Sequence, residues 1–444
     1  MRALTWSCGG ARAPWGSKGR RARGRFGTAV WLHYVALGFM AALAGAAALP
    51  VCAQGTILAT GIVTGAVSCT PSENGTAHLV CAQYSTAGAV VGASWQSLPG
   101  GLGNTPGVEP RGHVDPIAVI PAGMALIGPP ACAQMGVNDP NTHTAAGCLV
   151  ISNAGGNDAL QGIAFYPPTQ FLSPLAALDS VPAAAKISAP TCFTGNTTNA
   201  AVLCVLVIND QLEAIGFNPQ ANTTTHLQPL SLGNGFIGNP SCAGGGGGVG
   251  VCAIKQGGGL LGFSFNINGT LNAVQGMQLG AGSYLGDPSC ALPANGVKQD
   301  GTSTATCAVV SGGVLVGVSF DPQAHLLPVL KPLGAPPDGG SWTGAVACAT
   351  LPDVRAANAG MVSCGVVSST SNLFDVTFDT KISRGLNGPF ASGVSGKPSC
   401  IILAVEGDEI SCGGTTTAGT SSAFRLPAGL LPAPDFAPII AVLR

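Results

Sequence analysis

Four side chains alternate along one short stretch of a nearly uncharged sequence: Glu109, Arg111, His113 and Asp115. In an extended backbone alternate residues share a face, so these four would project together. An imidazole set among two carboxylates and a guanidinium could bind a cation or move protons. On a solvated outer loop the same residues would do neither, and charge runs are usually solvated. A second group, Glu406, Asp408 and Glu409, could hold Ca²⁺ only with ligands from elsewhere, and is otherwise a solvated turn. The other histidines beyond residue 53 are His78, His143, His226 and His325, and they are scattered. No His-Glu-x-x-His or Gly-x-Ser-x-Gly spacing occurs. The Gly-x-Gly-x-x-Gly within 244–250 lies between two cysteines, not between a strand and a helix, so it is not a dinucleotide fingerprint. No catalytic residue, metal site or cofactor follows from these residues.

The cysteines carry a stronger pattern. Beyond Cys8 and Cys52 they fall into seven close pairs: Cys69/Cys81, Cys132/Cys148, Cys192/Cys204, Cys242/Cys252, Cys290/Cys307, Cys348/Cys364 and Cys400/Cys412. Zinc prefers Cys-x2–4-Cys and redox catalysis prefers Cys-x-x-Cys; neither spacing occurs. The remaining reading is one structural disulfide per pair. In the chain-entropy account, closing loops this short stabilises by about 3 kcal/mol each, though seven do not simply add.

First members of successive pairs are 63, 60, 50, 48, 58 and 52 residues apart, a period that marks a repeat architecture. Glycine stands four residues before the first Cys at Gly65, Gly128, Gly238, Gly286, Gly344 and Gly396, with Ser188 in the third copy. An aromatic follows the second Cys at Trp95, Phe165, Phe217, Phe265, Phe320, Phe378 and Phe424. The fifth copy shows the grammar. Gly286-Asp287-Pro288 turns into a short strand at Cys290, and a polar loop follows. Strands 305–311 and 314–320 are joined by Gly312-Gly313, and the apolar piece 326–333 closes the unit. Asn157-Asp158, Asn209-Asp210 and Gly257-Gly258 occupy the same tight turn in other copies. No convincing helix appears after residue 53.

The expected fold is therefore all-β: a seven-bladed β-propeller with four short antiparallel strands and one intra-blade disulfide per blade. Repeat cores lie near 65–98, 128–178, 188–232, 238–279, 286–333, 344–390 and 396–444. Either the segment 56–63 or the C-terminal 437–444 closes the ring.

Residues 1–53 read as a signal peptide. Seven of the 18 Lys and Arg fall in the first 28 residues, and an apolar run follows over 29–51. Val51 and Ala53 suit a cleavage site before Gln54. An uncleaved anchor and a lipid-attached Cys52 are the alternatives. The rest is expected to be secreted, periplasmic or at the cell surface, with no membrane span. Only 8% of residues are charged, against about 25% in an average domain, and the net charge of −1 weighs against nucleic acid. Gly (66) and Pro (33) would suggest disorder, but 46% hydrophobic residues can bury a core. Asn74, Asn196, Asn222 and Asn268 begin N-glycosylation sequons, which matter only in a host that glycosylates.

The unit Gly-x-Pro-Ser-Cys, strand, turn, aromatic-ended strand, apolar strand resembles the seven-bladed propeller lectins of bacteria and fungi, over about residues 65–444. That resemblance implies a lectin-like binding or adhesion module for a glycan or a protein surface. Such lectins line sugar pockets with Trp and Tyr. Here only Trp95 and Trp342 lie beyond residue 53, so no sugar-binding residue carries over. Asp338-Gly339-Gly340-Ser341-Trp342 faintly resembles the Asp-box of sialidase propellers, but it is one residue short and single. The alternatives are an extracellular hydrolase or lyase with its site in an axial channel, for which only 109–115 offers clustered groups, and a structural envelope protein. Fold alone does not choose among them.

Overall fold

The structure is a computed structural model. It describes residues 63–443 apart from 73–76, 86–88, 98–110, 120–123, 136–145, 155–156, 167–170, 173–175, 182–184, 196–200, 220, 246–247, 267–270, 278–283, 293–303, 323–325, 351–360, 379–382, 403–408, 418–420 and 428–440. The chain divides into Met1–Gln54 and Gly55–Arg444, and the described residues belong to the second unit. The expected signal peptide, Glu109, Glu406 and Asp408 lie outside them.

The described chain is all-β. Seven antiparallel sheets follow one another, over 63–119, 124–181, 191–229, 236–277, 284–333, 342–392 and 394–443. Six contain four strands in chain order. The second contains six, because its first and last strands are each broken into two pieces. Each sheet carries one disulfide. In order they are Cys69–Cys81, Cys132–Cys148, Cys192–Cys204, Cys242–Cys252, Cys290–Cys307, Cys348–Cys364 and Cys400–Cys412. Every bridge joins directly opposed residues of the first two strands, with Cα atoms 3.9–4.1 Å apart. The strands of the fifth sheet are Tyr284–Ala291, Ala305–Ser311, Val314–Asp321 and Leu326–Leu333, so the sequence grammar holds there with one change. Gly286-Asp287-Pro288 is not a turn before the first strand. It is a bulge inside that strand: Leu285 pairs with Val310 and Ser289 with Ala308, leaving three residues opposite Val309 alone. Sheets one, four, six and seven have the same register jump before the first Cys.

Three other expectations change. Asn157-Asp158 begins a strand, because Ala154 pairs with Asn157 and so only 155–156 remain for the turn. Six of the seven aromatics stand opposite the residue two before the second Cys. In the seventh sheet Leu426 holds that register and Phe424 faces Cys412 itself. The first repeat extends past residue 98, since Arg111–Val119 is its fourth strand. Of the two terminal segments, the C-terminal one supplies a strand: Ala441–Leu443 pairs with Ser421–Pro427.

The first strands pack side by side in chain order, and that of sheet seven packs against that of sheet one. A row of hydrogen bonds follows the same order. The N–H of Cys132 donates to Ser68 Oγ (2.9 Å), Cys242 to Thr191 Oγ1 (3.2 Å), Cys290 to Ser241 Oγ (3.0 Å), Cys348 to Ser289 Oγ (2.9 Å) and Cys69 to Ser399 Oγ (2.9 Å). Each acceptor is the residue just before the first Cys of the neighbouring sheet. Two junctions have no hydroxyl to offer there, because Ala131 and Ala347 occupy that position.

The core is distributed between sheets. Six apolar clusters each span two consecutive sheets, from sheets one and two through to six and seven. Small residues permit the close approach: a Cβ on Gly162 would meet Phe217 of the next sheet at 2.9 Å, and one on Gly317 would meet Phe378 at 2.5 Å. At the register of Gly162 and Gly317 the other sheets carry Gly92, Ala214, Gly262 and Ala423, and sheet six alone carries Asp375. Asp375 is fully buried. It accepts from the Ser363 hydroxyl and the Val376 N–H, and its Oδ2 has no partner. Burial pushes its carboxyl up to about 7, against the lowering effect of those two bonds.

This packing makes two predictions. Gly286 has φ +75°, and a Cβ there would run into the Gly344 carbonyl of the next bulge. Gly396 has the same φ of 75° with nothing within 4 Å. Chemical denaturation of oxidised protein should therefore show Gly396→Ala losing about 1–2 kcal/mol, the left-handed backbone cost alone, and Gly286→Ala losing distinctly more. Asp375, raised above its unfolded value near 3.9, holds its proton while the unfolded chain ionises. Stability is full below about pH 4 and is lost as pH rises to about 7, by roughly 4 kcal/mol at most. Asp375→Asn should remove that slope and raise stability at pH 8; an unchanged pH profile would contradict the assignment.

Candidate functional site

A cleft of about 130 Å³ opens between sheets three and four. It is small beside ligand pockets of roughly 300–1,000 Å³, so it suits a single small ring or the end of a chain. Leu203 and Phe265 form its floor, and Pro229, Leu230 and Leu271 its walls. Phe265 is 3% exposed and stands edge-on to Phe193, with ring centroids 5.4 Å apart, so it supports the floor and offers no open face. Thr225, Gln228, Ser231 and Asn266 form the polar rim. Thr225 is fixed by the backbone: its Oγ1 accepts from Gly216 N–H (2.8 Å) and donates to Gly216 O (3.1 Å). Gln228 and Ser231 are exposed at the mouth. Apolar walls with a few polar groups at the rim are the usual makeup of a small-molecule site.

The strand order explains how the cleft forms. Gln211–Asn218 is joined to Val202–Ile208 by the two-residue turn Asn209-Asp210, with φ of 49° and 64°. The fourth strand, Thr223–Pro229, carries a bulge: Ala214 pairs with Gln228 and Gly216 with Thr225, leaving two residues opposite Ile215. Thr225, Gln228 and Pro229, on either side of that bulge, line the cleft together with Leu271 of sheet four.

The cysteines singled out by their spacing belong to the core and not to any binding surface. Cys81, Cys148, Cys204, Cys252, Cys307, Cys364 and Cys412 are each at most 3% exposed. The reason is their place on the second strand of each sheet, with a strand on either side and a neighbouring sheet against the face. Their sulfurs are spent in disulfides, so they offer a ligand neither a thiolate nor a contact, and their role is to hold the sheet. Of their partners, Cys69, Cys132, Cys290 and Cys400 are buried as well, and Cys192, Cys242 and Cys348 are half-buried.

The alternating cluster from the sequence falls elsewhere. Arg111, His113 and Asp115 stand on the fourth strand of sheet one, opposite Gln96, Ser94 and Gly92. They are on a strand and not on a loop. The structure does not bring them to the cleft. Glu409 opens the second strand of sheet seven, opposite Pro427. Among the described residues no group of three His, Cys, Asp or Glu could hold a metal ion.

Asp338 of the Asp-box-like segment makes a structural knot. It accepts from Ser368 Oγ (2.6 Å), the Thr370 hydroxyl, Asn372 Nδ2 (2.9 Å) and Gly340 N–H (3.0 Å). These bonds, the Ser368 one foremost, hold its carboxyl well below the usual carboxylate range. Trp342 is 1% exposed, donates to Gly334 O (2.8 Å) and packs edge-on against Phe374. The segment thus ties the crossover between sheets five and six to the 368–372 turn.

One polar network escaped the sequence reading. Lys255 Nζ lies 2.8 Å from Asp287 Oδ1 and donates to Gly286 O (2.8 Å). Asn239 Nδ2 donates to Asp287 Oδ2 (2.6 Å), and Asn239 Oδ1 accepts from Ala189 N–H (2.7 Å). The bulges of sheets four and five are linked to each other in this way, and to Ala189 just before the first strand of sheet three. The available signal was periodic: the x of Gly-x-Pro-Ser-Cys is Asn239, Asp287 and Lys397 in three copies.

No known protein family matches the sequence, and no curated protein does. Among solved structures, the BP39L lectin from Burkholderia pseudomallei is 12% identical with a TM-score of 0.54, covering 87% of this chain and 99% of its own. The Aleuria aurantia lectin, described as a six-bladed β-propeller, is 10% identical with a TM-score of 0.41, over 87% of this chain and 96% of the lectin. The Penicillium chrysogenum α-L-arabinanase, complexed with arabinobiose, is 8% identical with a TM-score of 0.47, over 81% of this chain and 93% of that one. The likeness to the Burkholderia lectin is one of fold: an all-β chain of repeated sheets.

Proposed function

We propose that this chain is an exported carbohydrate-binding module, built as a closed propeller of seven disulfide-stapled blades, with its ligand in the cleft between blades three and four. The observation that carries the reading is that cleft, an apolar bed rimmed by hydroxyl and amide groups, on a fold shared with a lectin. Closure is supported by the seam between the last sheet and the first, where Cys69 N–H meets Ser399 Oγ and the buried Gln83 Nε2 meets Thr415 Oγ1 at 2.6 Å. Export is supported by seven disulfides, which persist in oxidising compartments. The leader over 1–53 belongs to this reading, and so does a subsidiary contact surface at Glu109, Arg111, His113 and Asp115. Among the described residues no helix is long and apolar enough to cross a membrane.

A second reading, a glycan hydrolase, draws on Glu213 and Asp179 of neighbouring sheets. Burial first, and the Asp179 charge second, push the Glu213 carboxyl up. Two neighbouring carboxyl groups are the usual arrangement for glycoside cleavage.

A glycan array probed with oxidised protein tests the first reading. We expect retention of a defined glycan, lost on reduction and at least tenfold weaker in Ser231→Trp, which plugs the mouth of the cleft. Cleavage of the bound glycan, abolished by Glu213→Gln, would favour the hydrolase; silence from folded protein would turn the search to protein surfaces. Closure has its own test. Ser399→Ala should lower stability as much as Ser241→Ala, by about 1–2 kcal/mol for a stranded N–H. A negligible loss at Ser399 alone would mean an open arc.

A further inference from the structure

The cleft between sheets three and four is too small for a whole sugar. Its volume of about 130 Å³ is the share of about four water molecules. One substituent of a sugar can enter, and the ring then stays at the mouth. Four observations fix the chemistry of that substituent. Among the described residues lining the cleft none carries a charge, so a carboxylate or an ammonium would lose its water and find no counter-charge. Phe265 stands edge-on to Phe193, so no aromatic face is offered to a ring. Leu203, Leu230 and Leu271 belong to one apolar cluster with Phe265, so the end that goes in first must be carbon. The fourth observation is Thr225. A hydroxyl has one donor and two lone pairs. Here the donor and one lone pair are spent on Gly216, at 3.1 and 2.8 Å. What remains is an acceptor at a fixed place, which calls for an N–H or an O–H. Gln228 and Ser231, exposed at the mouth, supply donors.

A hydroxymethyl group would bury its oxygen among the leucines. A bare methyl group would leave Thr225 without a donor and most of the cleft unfilled. An acetamido group has a methyl tip, one N–H, one carbonyl and the right size. We propose that the cleft is selective for the acetamido group of an N-acetylated amino sugar, an inference that rests on the carbohydrate reading of the same cleft. The methyl group lies against Leu203, Leu230 and Leu271. The amide N–H donates to Thr225 Oγ1, and the carbonyl accepts from Gln228 or Ser231. The remaining hydroxyl groups stay outside, so the configuration at the other ring carbons matters little.

The test is saturation-transfer NMR on the full oxidised chain. The probes are N-acetylglucosamine, N-acetylgalactosamine, glucose and Nε-acetyllysine. The acetyl methyl protons should receive the largest saturation, and the two N-acetylated sugars should bind with similar affinity. Glucose should bind at least about tenfold more weakly, having neither the methyl group to bury nor the amide to pair. Thr225→Val should weaken N-acetylglucosamine about tenfold by removing the acceptor, while Thr225→Ser keeps it. Selectivity in the unaltered chain tests the assignment even where Thr225→Val does not fold. Ser231→Trp should abolish the response to both N-acetylated sugars. Glucose bound as tightly as N-acetylglucosamine, with both lost in Ser231→Trp, would overturn the acetamido assignment and leave the carbohydrate cleft standing. Silence towards every sugar from folded protein would defeat both readings, and so would N-acetylglucosamine binding that survives Ser231→Trp. A response to Nε-acetyllysine without one to the sugars would reject the amino sugar in favour of an acetylated peptide.

Discussion

A disulfide between directly opposed strands constrains the fold from its narrowest point. Bridged Cα atoms 4 Å apart belong to a narrow pair, whose N–H and C=O groups point away from the partner strand. In the first strand of a sheet they point to an open edge. An open edge is a liability unless its donors are satisfied. Here the donor is the N–H of the first Cys, and the acceptor is the hydroxyl just before the first Cys of the adjoining sheet. The Cys that staples a sheet is thereby the residue that docks the sheet. Ser-Cys is a two-residue device in which one residue holds its own sheet together and the other receives its neighbour.

Much of the remaining design serves that contact. The first strands must lie almost backbone to backbone, which is why a Cβ on Gly286 or Gly344 would meet the adjoining main chain. Between the sheets, glycines face phenyl rings, and the second Cys of each pair, from Cys81 to Cys412, is closed off from solvent. With so much of every strand buried on two sides, few positions can carry a charge, and the low charge content follows. The ionisable groups that do occur there are placed individually: Asp338 ties a crossover, Asp375 accepts from the Ser363 hydroxyl, and Lys255 and Asp287 join two bulges.

The fold was legible because the chain writes its plan seven times. The Cys pairs, the preceding glycine and the ending aromatic could be compared within one sequence, and Cys290, Gly312-Gly313 and Phe320 fell where their types required. What was misread depended on register. Gly286-Asp287-Pro288 has the composition of a turn, and only the pairing of Leu285 and Ser289 with a continuous strand makes it a bulge. Phe424 kept the chemistry of its repeat position and lost the register to Leu426. The cleft was not legible at all, since Thr225, Gln228 and Leu271 are ordinary residues whose relation arises from the packing of two sheets around a bulged outer strand. The charge run at 109–115 drew attention because it is dense in sequence. The polar bulges did not, because Asn239 and Asp287 lie about 50 residues apart and meet only when the repeats are stacked.

Ala131 and Ala347 interrupt the series of hydroxyl acceptors at two junctions, between sheets two and three and between six and seven. The bonded sheets therefore fall into two groups, seven-one-two and three-four-five-six. Each group is stitched through its innermost backbone, whereas the joints between groups lack that bond; at sheets six and seven the backbone contact is instead Val394 N–H to Ser371 O (3.0 Å). Such joints are hinges: strain from heat, force or a wedge entering the molecule would concentrate there, and two arcs would part before any sheet unravelled. The joint at sheets six and seven is also the one beside Asp375, whose cross-strand partner Gly365 faces the Cys400–Cys412 bridge.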